Sequence, residues 1–147
     1  MNSKKTKKKY YSQYKQDYLL EKAFFNDLKN GVFIDIGAHD GISLSNTYWF
    51  ENKGWSGICI EPNPTVFKQL KKNRKCICVN ACISDIEKTI DFLKIEGYSD
   101  MLSGILNKYT NEHIERIDRE IKEKSGKKEI IKVPAKTLNN ISKENKI

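Results

Sequence analysis

The stretch GVFIDIGAHDGISLSNT, residues 31–47, decides the fold. VFIDI is nearly all apolar, rich in β-branched residues and too short for a helix. It reads as a strand covered on both faces, as in a parallel sheet. Asp35 stands at the end of that strand, Gly37 and Gly41 follow in a loop, and ISLSNTYWFENKG reads as a helix ending near Gly54. A strand that passes through a glycine loop into a helix is a common cradle for nucleotide-type ligands.

Working outward, SGICIEP is a second buried strand that stops at Glu61 and Pro62. Asn63 caps the next helix, whose first residue is Pro64, a favoured arrangement at helix starts. Phe67 and Leu70 face inward from it, and KCICVNA forms a third short strand. Strand, helix, strand, helix, strand at this spacing is a βαβαβ unit, half of a doubly wound parallel sheet. Upstream, QDYLLEKAFFNDLKNG places Leu20, Ala23, Phe24 and Leu28 at helical spacing before a stop at Gly31. Downstream, TIDFLKI alternates apolar and polar residues, the pattern of a half-exposed antiparallel strand. NEHIERIDREIKEKSG is an amphipathic helix with Ile114, Ile117 and Ile121 as its stripe. Glu112 with Arg116, Glu115 with Arg119 and Asp118 with Lys122 are candidate i,i+4 pairs on its wet side. EIIKVPAKTLNN reads as a last strand, and Pro134, without a donor, suits an edge position.

At 147 residues the chain is one domain's worth. With 38% hydrophobic and 31% charged residues it reads as a soluble globular protein. No run reaches the ~18 apolar residues of a membrane span. Residues 1–11 form a basic tail, and Lys4, Lys5, Lys7, Lys8 and Lys9 carry five of the +8 net charges. No apolar stretch follows the tail, so it does not read as a secretion signal, and a cytoplasmic location is expected. Such charge runs are usually solvated, and nucleic acid is not the expected partner. Tyr10, Tyr11 and Tyr14 could stack on bases or begin a packed helix. Residues 12–147 form the domain. Cys59, Cys76, Cys78 and Cys82 make no CxxC pair and have no nearby histidine, so no metal site is expected. Cys59, Cys76 and Cys78 read as small buried hydrophobes, and a reducing compartment is expected.

Two ligand classes use this architecture. A dinucleotide sets its pyrophosphate over the helix N-terminus and calls for G-x-G-x-x-G. Here the spacing is D-x-G-x-x-x-G, with Asp35 at the strand end and Asp40 in the loop. Like charges about 4 Å apart repel by about 4 kcal/mol in a poorly solvated cleft. Two carboxylates therefore suit a phosphate-free ligand with a positive centre, as S-adenosylmethionine is. Glu61 at the end of the second strand is placed to accept both ribose hydroxyls, although it would serve the ribose of NAD equally. Asn80 and Ala81, ending the third strand, lie where an adenine edge would be.

YSQYKQDYLLEKAFF, GVFIDIGAHDGISLSNT, FENKGWSGICIEPNP and VNACISD, in this order and with these gaps, resemble the FkbM family of S-adenosylmethionine-dependent methyltransferases. MLSGI and VPAKTLNN resemble later family landmarks. The resemblance implies a Rossmann-like α/β methyltransferase fold, with a parallel core and an antiparallel excursion. It implies methyl transfer to a hydroxyl of a sugar or natural-product-like acceptor. By position, Asp35, Gly37, Ala38, Asp40 and Gly41 become the loop around the methionine part of S-adenosylmethionine. Glu61 becomes the ribose ligand, and Asn80 and Ala81 flank the adenine. Gln13, Gln16 and Asp17 match a motif expected to close the pocket. Ser45, Asn46 and Thr47 match a polar run that serves either as a helix start or as a direct ligand. Trp55 is core packing.

Family members continue past the TLNN segment into a strand with an acidic motif and further strands, so the C-terminal half of the sheet is expected to be missing here. VFIDI would then keep one unpaired edge, which implies self-association or a completing polypeptide. No residue stands out as a general base, and the catalytic residue is left unassigned. The alternative reading is a non-catalytic remnant, or a cofactor-binding or interaction module that acts through its basic tail.

Overall fold

The computed structural model describes residues 10–147, so the lysine run at residues 4–9 lies outside the described residues. The chain runs α1 (Gln16–Ala23), β1 (Val32–Ile36), α2 (Tyr48–Asn52), β2 (Ser56–Ile60), α3 (Pro64–Asn73), β3 (Ile77–Val79) and β4 (Cys82–Ile83). It continues through β5 (Lys88–Glu96), β6 (Gly104–Ile105), α4 (Asn111–Lys124), β7 (Lys127–Lys136) and α5 (Leu138–Asn145), with short 3₁₀ turns at Asp100–Leu102 and Leu106–Lys108. Strands β1, β2 and β3 form a parallel sheet in that order. The βαβαβ reading of this part therefore holds. A second sheet has the order β4-β7-β5-β6 and mixes parallel and antiparallel pairs.

The strand buried on both faces is β2, not β1. Cys59 joins Phe33, Ala38, Phe50, Trp55 and Leu70 in one cluster, while Ile58 and Ile60 pack under Ile141 on the other face. Ile141 belongs to α5, an element absent from the sequence reading, where TLNN was assigned to the last strand. Thr137 ends that strand instead and caps α5 by accepting the N–H of Asn140. Helix α5 packs with Ile58 and Ile60 of β2, Val79 of β3 and Ile83 of β4, and Val32, Ile34 and Ile36 of β1 are exposed. Strand β1 pairs only with β2 among the described strands, so the unpaired edge is present.

Helix α1 is shorter than its apolar spacing suggests and buries acids. Asp17 is fully buried and accepts the N–H of Tyr11 (2.6 Å) and the hydroxyl of Ser12 (2.6 Å). Glu21 accepts the Tyr10 hydroxyl (2.6 Å) and the Lys53 ammonium (3.0 Å). Tyr10 also packs on Trp49, so the chain is already docked from residue 10 onward. Phe24 and Leu28 are exposed, and Phe25 packs edge-on against Trp55 in their place.

The second sheet departs from expectation in three details. Phe92 faces Val133, whereas Leu93 and Ile95 face Ile117 of α4, so the far half of β5 is covered on both sides. Pro134 lies in a strand with neighbours on both sides; its missing donor is tolerated because β4 pairs only with Ala135 and Lys136. On α4, Ile114, Ile117 and Ile121 face the sheet as the stripe requires. Its ion pairs are Arg116 with Glu120 (2.8 Å) and Asp118 with Lys128 of β7, in place of the three expected. Strand β7 runs close enough to compete for Asp118, and Ser99 helps to hold Glu120 toward Arg116.

Candidate functional site

A cavity of about 310 Å³ opens at the carboxyl ends of β1 and β2. Its floor is the loop after β1, whose Gly37 and Ala38 N–H groups both donate to Ile60 O, at 2.9 and 3.0 Å. Gly37 has φ +75°, a left-handed conformation that glycine adopts freely, and nothing lies within 4 Å of where its Cβ would be. Gly41 has φ +82°, and a Cβ there would meet Arg74 Cγ at 2.6 Å and Leu70 Cδ1 at 2.7 Å. His39 and Leu44 also have positive φ. The loop therefore continues to residue 47, and α2 starts only at Tyr48. Ser45 Oγ caps that start by accepting the N–H groups of Thr47 (3.2 Å) and Tyr48 (3.1 Å).

The acidic residues divide by role. Asp40 folds the loop: its carboxylate accepts the N–H groups of Ile42 and Ser43 and the Ser43 hydroxyl. Burial pushes the Asp40 carboxyl up, but these hydrogen bonds outweigh it and hold the group below the usual range. Asp40 and Gly41 build the loop without lining the cavity, whereas Asp35, Gly37 and Ala38 line it. Asp35 Oδ2 accepts the Thr47 hydroxyl at 2.5 Å.

Glu61 also lines the cavity and is only 7% exposed. Oε2 accepts the N–H of His39 (3.0 Å) and Oε1 that of Asn63 (2.8 Å). These two bonds fix the carboxylate plane, and each oxygen keeps a lone pair for a further donor. Burial raises the Glu61 carboxyl above the usual range, and the two N–H donors offset only part of that. Asn80 donates to Glu61 O (2.7 Å) and Pro62 O (3.1 Å), so its amide braces the turn that carries Glu61. Ala81 is fully buried and lines a smaller, mostly apolar cleft with Ile60, Pro62 and Phe92. That cleft shares Ile36, Gly37, Pro62 and Ser103 with the main cavity.

Three lining residues come from a distant part of the chain and were not legible as site residues. Asp100, Met101 and Ser103, on the connection from β5 to β6, wall the cavity opposite the loop. Asp100 Oδ1 lies 3.2 Å from His39 Nε2. His39 and Arg74 were also missed. His39 stands between two residues that the loop motif singles out, and its place there was the available signal. Arg74 follows an ordinary lysine-rich helix and offered none. Gln13 does not line the cavity, and Asp17 anchors residues 11 and 12 beside α1. Of the polar run, Ser45 and Asn46 line the cavity, whereas Thr47 acts on Asp35.

The described side chains lining this cavity include three carboxylates, Asp35, Glu61 and Asp100, and His39, with no lysine or arginine among the described residues. The lining thus offers hydrogen-bond acceptors and negative charge. Among the described residues no group of three or more His, Cys, Asp or Glu side chains could hold a metal ion. The four cysteines are free thiols, with Cys59 and Cys76 sulfurs 3.5 Å apart. No helix among the described residues is long and apolar enough to cross a membrane.

A family model described as the methyltransferase FkbM domain matches residues 35–147. Comparisons with curated proteins and with solved structures find no match.

Proposed function

The chain belongs to the methyltransferase FkbM domain family, and from that premise we propose that it binds S-adenosylmethionine and transfers its methyl group to a hydroxyl of a small-molecule or glycan acceptor. One observation carries the cofactor reading. Glu61 presents a buried carboxylate, fixed by two backbone N–H groups, inside a cavity whose charged lining is acidic. Both oxygens keep lone pairs at the spacing of a vicinal diol, so the two ribose hydroxyls find acceptors in place. A pyrophosphate at the same site would face Asp35 and Asp100 with no lysine or arginine among the described lining residues to offset them.

The remaining parts fit the same molecule in a Rossmann-like arrangement. Asp35 stands ready for the ammonium of the methionine part, and the open space at Gly37 lets that part pass close to the backbone. The apolar cleft beside Ala81 and Pro62 suits a flat purine, with Asn80 bracing the turn at its edge. The bound cofactor supplies an electrophilic methyl on a sulfonium. The carboxylates of Asp35, Glu61 and Asp100 give the cavity a negative lining that would attract a cationic ligand. A cavity of about 310 Å³ lies within the size range of small-ligand sites, roughly 300–1,000 Å³.

Titration calorimetry with S-adenosylhomocysteine and, separately, with NAD tests the proposal. Binding of the first and none of the second is expected. Binding of NAD alone would overturn it.

A further inference from the structure

Arg74 donates hydrogen bonds to four residues beside the cavity, yet it does not line it. Its side chain is fully buried, between the rings of Phe33 and Tyr48 at 5.2 and 5.5 Å. Nε donates to Glu51 Oε2 at 2.5 Å, which answers the charge. Nη1 donates to Gly41 O (3.0 Å) and Ser45 Oγ (3.4 Å), and Nη2 to Thr47 Oγ1 (3.0 Å). One guanidinium thus ties the end of α3 to the middle and the far end of the loop that follows β1.

We propose that Arg74, acting through the Thr47 hydroxyl, is the positioning residue that aims the Asp35 carboxylate at the ligand's ammonium; this rests on the cofactor reading above. A threonine hydroxyl has one hydrogen to give. Because Arg74 Nη2 donates into the Thr47 oxygen, that hydrogen is directed away, and it goes to Asp35 Oδ2 at 2.5 Å. Oδ2 is thereby occupied, and Oδ1, with no hydrogen bond among the described residues, is left for the cavity. Arg74 Nη1 lies 4.0 Å from Asp35 Oδ2, within ion-pair range but beyond hydrogen-bond reach. The threonine therefore orients the carboxylate by holding the hydrogen-bond position on Oδ2 that the guanidinium does not reach.

The arrangement predicts an effect confined to one end of the ligand. S-adenosylhomocysteine carries the amino-acid end, and 5′-methylthioadenosine lacks it while keeping ribose and adenine. Both are titrated by calorimetry into the full chain and into Thr47→Val, Thr47→Ser and Arg74→Lys. Wild-type protein is expected to prefer S-adenosylhomocysteine. Thr47→Val should weaken that ligand about tenfold or more, the scale of one charged hydrogen bond, and leave methylthioadenosine within about twofold. Thr47→Ser, which restores the hydroxyl, should recover the preference. Arg74→Lys keeps the charge without the fork and should repeat the selective loss, with a lower melting temperature. Equal weakening of both ligands by Thr47→Val, or no weakening, would overturn the positioning role. So would a wild-type chain that binds both ligands equally, although the cofactor reading would then survive. A wild-type chain that binds neither would remove the cofactor reading and this role together.

Discussion

The Glu61 carboxylate accepts the backbone N–H of His39 at 3.0 Å across 22 residues of sequence. That bond joins the end of β2 to the loop after β1, so the cavity's central acceptor and its floor are set by one contact. His39 has φ +50°, a conformation that costs a non-glycine residue on the order of 1–2 kcal/mol. The bond to Glu61 is one of the contacts that hold it there.

Glu61→Ala should therefore do more than delete a ligand contact. On the proposed cofactor reading it removes the acceptor for two ribose hydroxyls, and it leaves the N–H groups of His39 and Asn63 without their partner. We expect S-adenosylhomocysteine affinity to fall by about 2–3 kcal/mol in calorimetry. An unchanged dissociation constant would take Glu61 out of the site.

The raised Glu61 carboxyl sets a pH dependence. A carboxyl whose folded value lies above its unfolded value takes up a proton more readily in the fold. The unliganded fold thus gains stability as pH falls through that window and loses it as pH rises. On the proposed cofactor reading ligand binding runs the other way, because a ribose diol needs the carboxylate form. Affinity should drop on acidification at a higher pH than an ordinary glutamate would give, while the melting temperature of Glu61→Gln lacks this component. Calorimetry at a series of pH values checks both, and a flat affinity down to the ordinary glutamate range would contradict the assignment.

The two loop glycines should respond unequally. Gly37→Ala meets only backbone strain, about 1–2 kcal/mol, with open space for its methyl. Gly41→Ala adds a collision with Arg74 and Leu70, a further ~1–3 kcal/mol. Thermal melts should rank wild type above Gly37→Ala and Gly37→Ala above Gly41→Ala. The reverse order would mean that Arg74 is not held against the loop.

Strand β1 should be a site of self-association. Val32, Ile34 and Ile36 are 57%, 39% and 55% exposed on a strand paired along one edge only among the described strands. Such an edge invites pairing with another chain, and a lysine blunts it. Ile34→Lys should shift sedimentation toward monomer and change stability by no more than about 1 kcal/mol. Identical sedimentation of the two proteins would rule this edge out as the contact.

The sequence by itself determined the parallel βαβαβ unit, the α4 stripe and the family. These are properties of near neighbours: apolar runs of strand length, glycines at fixed offsets and isoleucines every three or four residues. It also put Asp35, Gly37, Ala38 and Glu61 at or just past strand ends, where the structure has them lining the cavity, because strand ends are legible where an apolar run meets an acid or glycine. Tertiary structure decided what those residues do. Asp40 and Asp35 look equivalent in the motif, yet one carboxylate is consumed by the N–H groups of its own loop and the other is left facing the cavity. The wall formed by Asp100, Met101 and Ser103 arises only because β5 and β7 pair along nine residues and carry the β5–β6 connection over the loop. Arg74 sits in a helix end like many others until folding buries it beneath Gly41 and Thr47. Hydrogen bonds and burial across 20 or more residues depend on where the chain returns, and local pattern has no period that encodes that return.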